Sequence, residues 1–600
     1  LLRVDLTDSE ITEEEISPEK MEKFVGGVGL GSSILREEIE DEVDAFAPEN
    51  RLIFFTGPFA GTKVPGSGTY SVVTKGPLTE MFGGAQANGW FGARMKFAGY
   101  DGIVFHGKAS ELSYVLVTDE DVQIKTDPEL AGKDTYETQE YLKEKLAMPK
   151  SSVACIGPAG ENEVRFANIA SDGGHFASTN GIGAVMGSKN LKAVVVAGDE
   201  GVPVANEERF DELAKEWQKE VNETLMGATV SQYGTNGFFS AAAETGWLPV
   251  KNLTTDIFEK HPEFNGDSLR EKLDLDRTPC HACPLEHCNE VQLKEGRHEG
   301  LKTDEPEYEG MAAFGPLIGN DDYTEAIYLN DLNDRLGMDL KEMGFTLSLI
   351  LECVENGVLD EEDLDGLDLD WGDIDGVEKL MKNIAHREGV GDMLAEGVYR
   401  TAKNFGEDAL DKAVYTHEGI APHIHDPRGL WGYLFGQTIS NMGSIEGFSP
   451  AELVPQPDLG MDEPVEKYKD PYELVEAQGE MAKKYYFVDN LGTCFFTSVD
   501  LSLMTEALEA LTGMEYSKEE ALKQGHRTMT SSRLLNISQG WSKEEDKASE
   551  RLLEPCPDGP NEGVSIREDI DEMVDYHYRR MGWDEKGHPK KETLKELGLD

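Results

Sequence analysis

Residues 1–203 read as strand-rich, in short apolar or alternating runs between polar turns. Leu1–Leu6 and Ile11–Ile16 alternate on either side of a polar Thr7–Glu10 turn, which predicts a hairpin. Ser17 followed by Pro18 predicts an N-cap with proline at the first helical position, and Gly26 predicts the stop. Leu52–Phe55, Ile103–His106, Tyr114–Thr118, Val122–Lys125 and Ala193–Ala197 predict further strands. The period changes near Val202-Pro203. Asn206 reads as an N-cap, and Phe210, Leu213, Ala214, Trp217 and Val221 follow at helical spacing. Amphipathic helices then dominate, as at Tyr323–Leu336, Val377–Ile384, Met393–Asn404, Glu473–Phe487 and Leu501–Leu511, with a second break near Val414–Ile420. The predicted fold class is α+β, with a β-rich domain over 1–203 and two mainly helical domains over 204–414 and 415–600. No fixed-period repeat interrupts this order.

Charge narrows the function. The 600 residues, enough for about three or four domains, carry 116 Asp+Glu against 56 Lys+Arg, a formal net charge of -60. Such a field repels phosphate, which excludes a nucleic-acid binder and an anionic membrane surface as partners. No stretch approaches 18 apolar residues, so no transmembrane helix is expected. The acidic excess is spread along the chain and 8% of residues are aromatic, which argues for a folded surface rather than disorder. At about 1 M salt the Debye length falls to roughly 3 Å and self-repulsion is screened. A cytoplasmic enzyme adapted to strong salt is the expectation. Dialysis into dilute buffer should then cost it structure, and an unchanged melting temperature there would contradict the reading. Seven cysteines exclude a disulfide scaffold. The chain opens on Leu1 with no signal-peptide apolar region, which leaves open whether a leader precedes it.

Glycine is dense in two runs, Gly26–Gly31 and Gly181–Gly187, where backbone can approach backbone or ligand closely. The second run has one residue too many for a dinucleotide fingerprint, and neither a phosphate-binding loop nor a nucleophile elbow occurs. The most specific chemistry is Cys280-x2-Cys283-x4-Cys288, three thiols within nine residues, with Cys494 as a distant fourth. Four thiolates suit a [4Fe–4S] cluster. They equally suit structural zinc, with His281 or His287 taking part. Cys155, Cys353 and Cys556 stand alone and read as small packed residues. Cys494 closes a second pattern: Asp489-x-x-Gly492-Thr493 repeats Asp334-x-x-Gly337-Met338-Asp339. A carboxylate three residues before a glycine can accept paired N–H donors from a heterocycle, and two copies suit a ligand with two similar halves. The plainer alternative for either copy is a helix C-terminus with glycine after it and a solvated aspartate.

With these motifs in family order, the chain resembles the aldehyde ferredoxin oxidoreductases, tungsten bis-pterin enzymes, over nearly its whole length. The resemblance is carried by Leu2–Leu6, Gly57-Pro58, Pro65–Gly68, Val73–Thr79, Lys96–Gly102, Ile156–Asn162, Gly181–Lys192, the cysteine triplet, Pro306-Glu307-Tyr308-Glu309, Asp426-Pro427-Arg428-Gly429, Ser440-Asn441 and both D-x-x-G motifs. It implies a β-rich base for the cofactor and two helical domains closing over it. It implies a tungsten bis-pterin with Asp334, Gly337, Met338 and Asp339 on one pterin and Asp489, Gly492 and Thr493 on the other. Cys280, Cys283, Cys288 and Cys494 would bind a [4Fe–4S] cluster. The backbone of Gln86, Ala87 and Asn88 and of His175, Phe176 and Ala177 would face the phosphates and a Mg2+ ion. The implied reaction is oxidation of an aldehyde to the carboxylate, with electrons leaving through the cluster to ferredoxin.

The chain departs from that pattern in several places. The last cysteine spacing is one residue longer than usual, which a loop bulge can absorb. Thr69 stands where the family has an arginine between pterin and cluster, and His175 where it has one near the phosphates. Glu446 stands at the active-site histidine position, with Ile445 in place of the usual Cys. Interface-iron E-x-x-H motifs are not found in place, so a homodimer would carry no interface iron. Glu309 occupies the family's active-site glutamate position. It is the expected general base, with Glu446 sharing the work and the two pushing their pKa values apart. The alternatives are carboxylate or acyl-thioester reduction in a larger complex, a non-catalytic iron–sulfur electron-transfer subunit, and a zinc-stabilised binding protein.

Overall fold

A computed structural model describes residues 1–417, 419–442, 451–453, 455–468 and 470–600. The predicted hairpin forms from β1 (Leu2–Asp5) and β2 (Glu10–Glu13), antiparallel with Leu2 opposite Glu13. It sits at the edge of a six-stranded sheet with β3 (Leu52–Phe55), β4 (Tyr70–Lys75), β5 (Phe82–Ala87) and β6 (Gly102–His106), in the order β2-β1-β6-β3-β4-β5. A second six-stranded sheet joins β7 (Ser113–Thr118), β8 (Val122–Thr126), β9 (Ser152–Cys155), β10 (Ile169–Ser171), β11 (His175–Ala177) and β12 (Leu191–Ala197), in the order β11-β10-β9-β12-β7-β8.

Side-chain alternation explains the layers. Leu52 and Phe54 of β3 point into a core shared with Val115 and Val117 of the other sheet, while Ile53 and Phe55 join the core of the helical region. Both faces of the central strands are therefore covered, which is why β3 and β4 are buried at every position. The strands β5 and β9 escape the period-two reading because glycines (Phe82-Gly83-Gly84) or short length blur it, and β4 because both its faces are buried.

From Glu207 onward helices dominate, apart from a small sheet of β13 (Asp274–Arg277), β14 (Asn289–Gln292) and β15 (Lys302–Asp304). The architecture is thus α+β, β-rich at the N-terminal end and helical thereafter. The predicted helix Met393–Asn404 is two pieces, Gly391–Leu394 and Val398–Phe405, because Gly397 adopts φ 91° between them. Ser17 does cap the helix Pro18–Phe24 through Lys20 N, but the residue that ends it is Val25 at φ 63°. Gly26 then opens a second helix, Gly27–Glu38, so most of the first glycine run is helical. Among the described residues no helix is long and apolar enough to cross a membrane.

The glycines serve close packing of the helical region onto the sheets. Gly57, after β3, lies so near the Asp489–Gly492 turn that a Cβ there would overlap Leu491. Gly157, after β9, meets the Asp334–Gly337 turn in the same way, and a Cβ on it would overlap Leu336. Each sheet therefore ends a strand in a Gly-Pro pair that receives one D-x-x-G turn. The first glycine helix adds to this contact: Asn490 Oδ1 accepts from Gly29 N at 2.7 Å, and a Cβ on Gly27 would overlap the Asp489 carbonyl.

Candidate active site

Both D-x-x-G motifs are helix C-termini with a left-handed glycine, Gly337 at φ 80° after Tyr323–Leu336 and Gly492 at φ 75° after Pro471–Leu491. The plainer geometric reading is therefore correct, yet neither aspartate is solvated. Burial drives the Asp334 carboxyl well above its usual range and Asp489 up to about 7. Asn330 Nδ2 donates to Asp334 Oδ2 at 2.7 Å. Met338 pairs with Ala167, and its carbonyl accepts from Asn168 and Asn333 at 2.8 Å. Asp339 caps the next helix through Lys341 N at 2.9 Å. Thr493 is fully buried and its Oγ1 has no hydrogen-bond partner. Gln86 Nε2 donates to the Asp489 carbonyl at 3.0 Å, and Asn88 Oδ1 accepts from Thr69 Oγ1 at 2.9 Å. Gln86 and Ala87 belong to β5, and His175, Phe176 and Ala177 to β11. These edge strands of the two sheets lie against each other.

The four cysteines converge from segments far apart in sequence. Cys280 and Cys288 Sγ lie 3.8 Å apart, and the Cys288 thiol, with His175 behind it, holds the Cys280 thiol well below its usual range against the opposing effect of burial. Burial pushes the Cys494 thiol up, and negative charge on Cys283 and Cys280 pushes it further, so all four belong to one electrostatic group. Cys494 is seated by its N–H to the Gly66 carbonyl at 3.1 Å. The extra residue of the triplet is absorbed at Glu286, which is exposed at φ 47°. His281 turns away, its Nε2 3.1 Å from the Thr62 carbonyl, whereas His287 Nε2 stands 3.9 Å from Cys288 Sγ and 3.4 Å from Glu307 Oε1.

Between this group and the first D-x-x-G turn runs Glu307-Tyr308-Glu309. Glu307 is closely surrounded by protein, yet 44% of its side chain is accessible. His175, Asp304, Glu309 and Asp489 are likewise desolvated as core groups but only partly covered. Burial, then the neighbouring Glu307, raises Glu309 to about 7. Burial also acts on Glu307, but the hydrogen bonds from His287 and Thr235 outweigh it and hold that carboxyl below its usual range. The pair whose pKa values are driven apart is thus Glu307 and Glu309. Glu446 and Ile445 lie outside the described residues.

The periodicity gave no notice of the aromatic cluster that starts at Tyr308, beside Glu309 in the chain. Tyr308 stacks on His425 at 4.9 Å, and Trp247 and Tyr433 approach the same imidazole at 4.9 and 5.4 Å. Burial lowers His425 to about 3, so it is neutral. Tyr308 Oη and His425 Nδ1 are buried without hydrogen-bond partners. One signal was available: His423 and His425 directly precede Asp426-Pro427-Arg428-Gly429 in a chain with 13 histidines. Surface clefts of 720 Å³ (lined by Trp583 and His588) and 590 Å³ (lined by Phe258 and Pro316) hold none of the site residues.

Four cysteines near two D-x-x-G turns and a desolvated glutamate are the setting of an oxidoreductase, and the family comparison assigns the chain to that class. It belongs to the aldehyde ferredoxin oxidoreductase family: the family's N-terminal domain matches residues 1–198, and its domains 2 and 3 match residues 212–599. The tungsten-containing aldehyde ferredoxin oxidoreductase of Pyrococcus abyssi is 37% identical over all of this chain and 98% of that protein. The WOR-like subunit of the Pyrococcus furiosus aliphatic sulfonate oxidoreductase is 33% identical over all of this chain and 96% of its own. Among solved structures, the active-site complex BamBC of benzoyl coenzyme A reductase with 1,5-dienoyl-CoA superposes with a TM-score of 0.88 at 26% identity, covering 100% of this chain and 96% of that one. Membership implies a tungsten–pterin cofactor and a [4Fe–4S] cluster.

Proposed function

We propose that this enzyme oxidises an aldehyde with water to the carboxylate, releasing two electrons and three protons, and that the electrons leave singly through the cluster to a ferredoxin in the cytoplasm. The observation that carries the reading is Glu309, a carboxyl that burial and the neighbouring Glu307 raise to about 7, next in the chain to a Tyr308 that packs on His425. A carboxyl raised towards neutrality suits a base that takes a proton from water or the aldehyde hydrate. The unpartnered Thr493 Oγ1 and the desolvated Asp334 and Asp489 carboxyls fit a polar, two-part ligand. Asp334, Gly337, Met338 and Asp339 would hold one pterin, and Asp489, Gly492 and Thr493 the other. The edge strands β5 and β11 would face the phosphates and Mg2+. The bound tungsten would supply a two-electron acceptor with soft sulfur ligands.

A second reading, reduction of an acyl thioester in a larger complex, draws on the likeness to the benzoyl coenzyme A reductase complex. The test is elemental analysis of protein purified without air in high salt, paired with a dye-reduction assay on aldehydes. About one tungsten and four iron per chain with aldehyde-dependent turnover is expected. The same metals with copurifying subunits and no aldehyde turnover favour the second reading. Iron without tungsten would leave an electron-transfer subunit.

A further inference from the structure

The side chain of His175 takes no part in the reading above, yet its Nε2 stands 3.6 Å from Cys280 Sγ. It arrives from β11, in a sheet separate from the cysteine loop, and several contacts fix the ring there. Its strand is registered by the Ser171–His175 pair, and Ser171 Oγ donates to the His175 carbonyl at 3.4 Å. Gly89 lies against one edge of the imidazole, and a Cβ there would sit 2.9 Å from His175 Cδ2. The Asp304 carboxylate lies against Gly174 and in electrostatic contact with His175. A ring packed against Gly89 and facing a thiol has little freedom to turn away.

A metal-bound thiolate offers only lone pairs, so a ring nitrogen facing it is an N–H. Hydrogen bonds to cluster sulfurs are one of the terms that set a cluster's potential. Adding an electron puts more negative charge on the sulfurs, so a donor stabilises the reduced cluster more than the oxidised one. We propose that His175 donates an N–H···S hydrogen bond to the Cys280 thiolate and thereby raises the reduction potential of the cluster. The proton stays on the imidazole and only one electron moves. His175 is in this sense a positioning residue for electron flow. The rival role is direct ligation, since potential ligand atoms of His175, Cys280 and Cys288 lie within 4.8 Å of one another.

The inference rests on the cluster assignment of the proposed function. The test compares wild-type holoenzyme with His175→Phe, His175→Gln and Asp304→Asn by iron and sulfide content and by an EPR-monitored redox titration. His175→Phe is expected to keep its cluster while the reduction equilibrium shifts about tenfold towards the oxidised form, about 59 mV for one electron. His175→Gln keeps an N–H and is expected to shift less, in the same direction. Asp304→Asn, which loosens the ring without removing it, is expected to do likewise. An intact cluster with an unchanged midpoint in both His175 variants overturns the hydrogen bond. Loss of iron from both overturns it in favour of ligation. Should the phenylalanine variant not fold, His175→Leu, which also lacks a donor, decides, and an intact cluster with zero shift there is the overturning result. Absence of iron from the wild type would instead sink the cluster reading itself, and this inference with it.

Discussion

Glu309→Gln is expected to lower kcat by about 10²–10⁴-fold, the usual range for removing a positioned proton acceptor, while metal content stays at the wild-type level. Glutamine has the same shape but cannot take a proton. In the wild type, kcat/KM should rise with pH through about 7, because burial places the Glu309 pKa there. The variant should lose that rise. Stability should respond in the opposite sense. A carboxyl whose folded pKa lies above its unfolded value of about 4.3 holds its proton longer in the native state. Its stabilising contribution is full below the unfolded pKa and is lost as pH rises to about 7. The glutamine variant should therefore melt at or above the wild-type temperature at pH 8. Wild-type turnover in Glu309→Gln would remove this residue as the base. Turnover loss accompanied by metal loss would mean that it supports the cofactor instead.

Cys494→Ser is expected to cost the cluster its fourth ligand, leaving three iron or fewer of about four per chain and abolishing electron transfer to a protein acceptor. The change is small at the backbone: Cys494 N still reaches the Gly66 carbonyl and Thr497 N still reaches the Cys494 carbonyl. Circular dichroism should therefore remain close to wild type. Cys556→Ser is the matched control, because that thiol is buried beside Asp426 and Arg428, remote from the other thiols in its electrostatic surroundings. Full iron in Cys494→Ser would disprove the four-cysteine centre. Iron loss in Cys556→Ser would show that folding, rather than ligation, governs the metal content.

The sequence by itself determined whatever depends on neighbours a few residues apart. The β1–β2 hairpin follows from alternation around a polar turn, the Ser17 cap from one hydroxyl and one proline, and the D-x-x-G turns from glycine at a helix end. The cysteine triplet is legible because its three thiols share a short loop. The tertiary structure alone decided what those pieces meet. Gly57-Pro58 and Gly157-Pro158 lie far along the chain from the turns they receive, and only the packing of two sheets against the helical region pairs each with its aspartate. His175 reaches Cys280 because the register of β10 and β11 aims it there. Glu307, two residues away along the chain, pushes the Glu309 carboxyl up once both are buried, while Glu446 lies outside the described residues. Local rules fix backbone shape, since caps, turns and periodicity are short-range energies. The burial that moves a pKa, and the space that receives a ligand, exist only once distant segments have excluded water together.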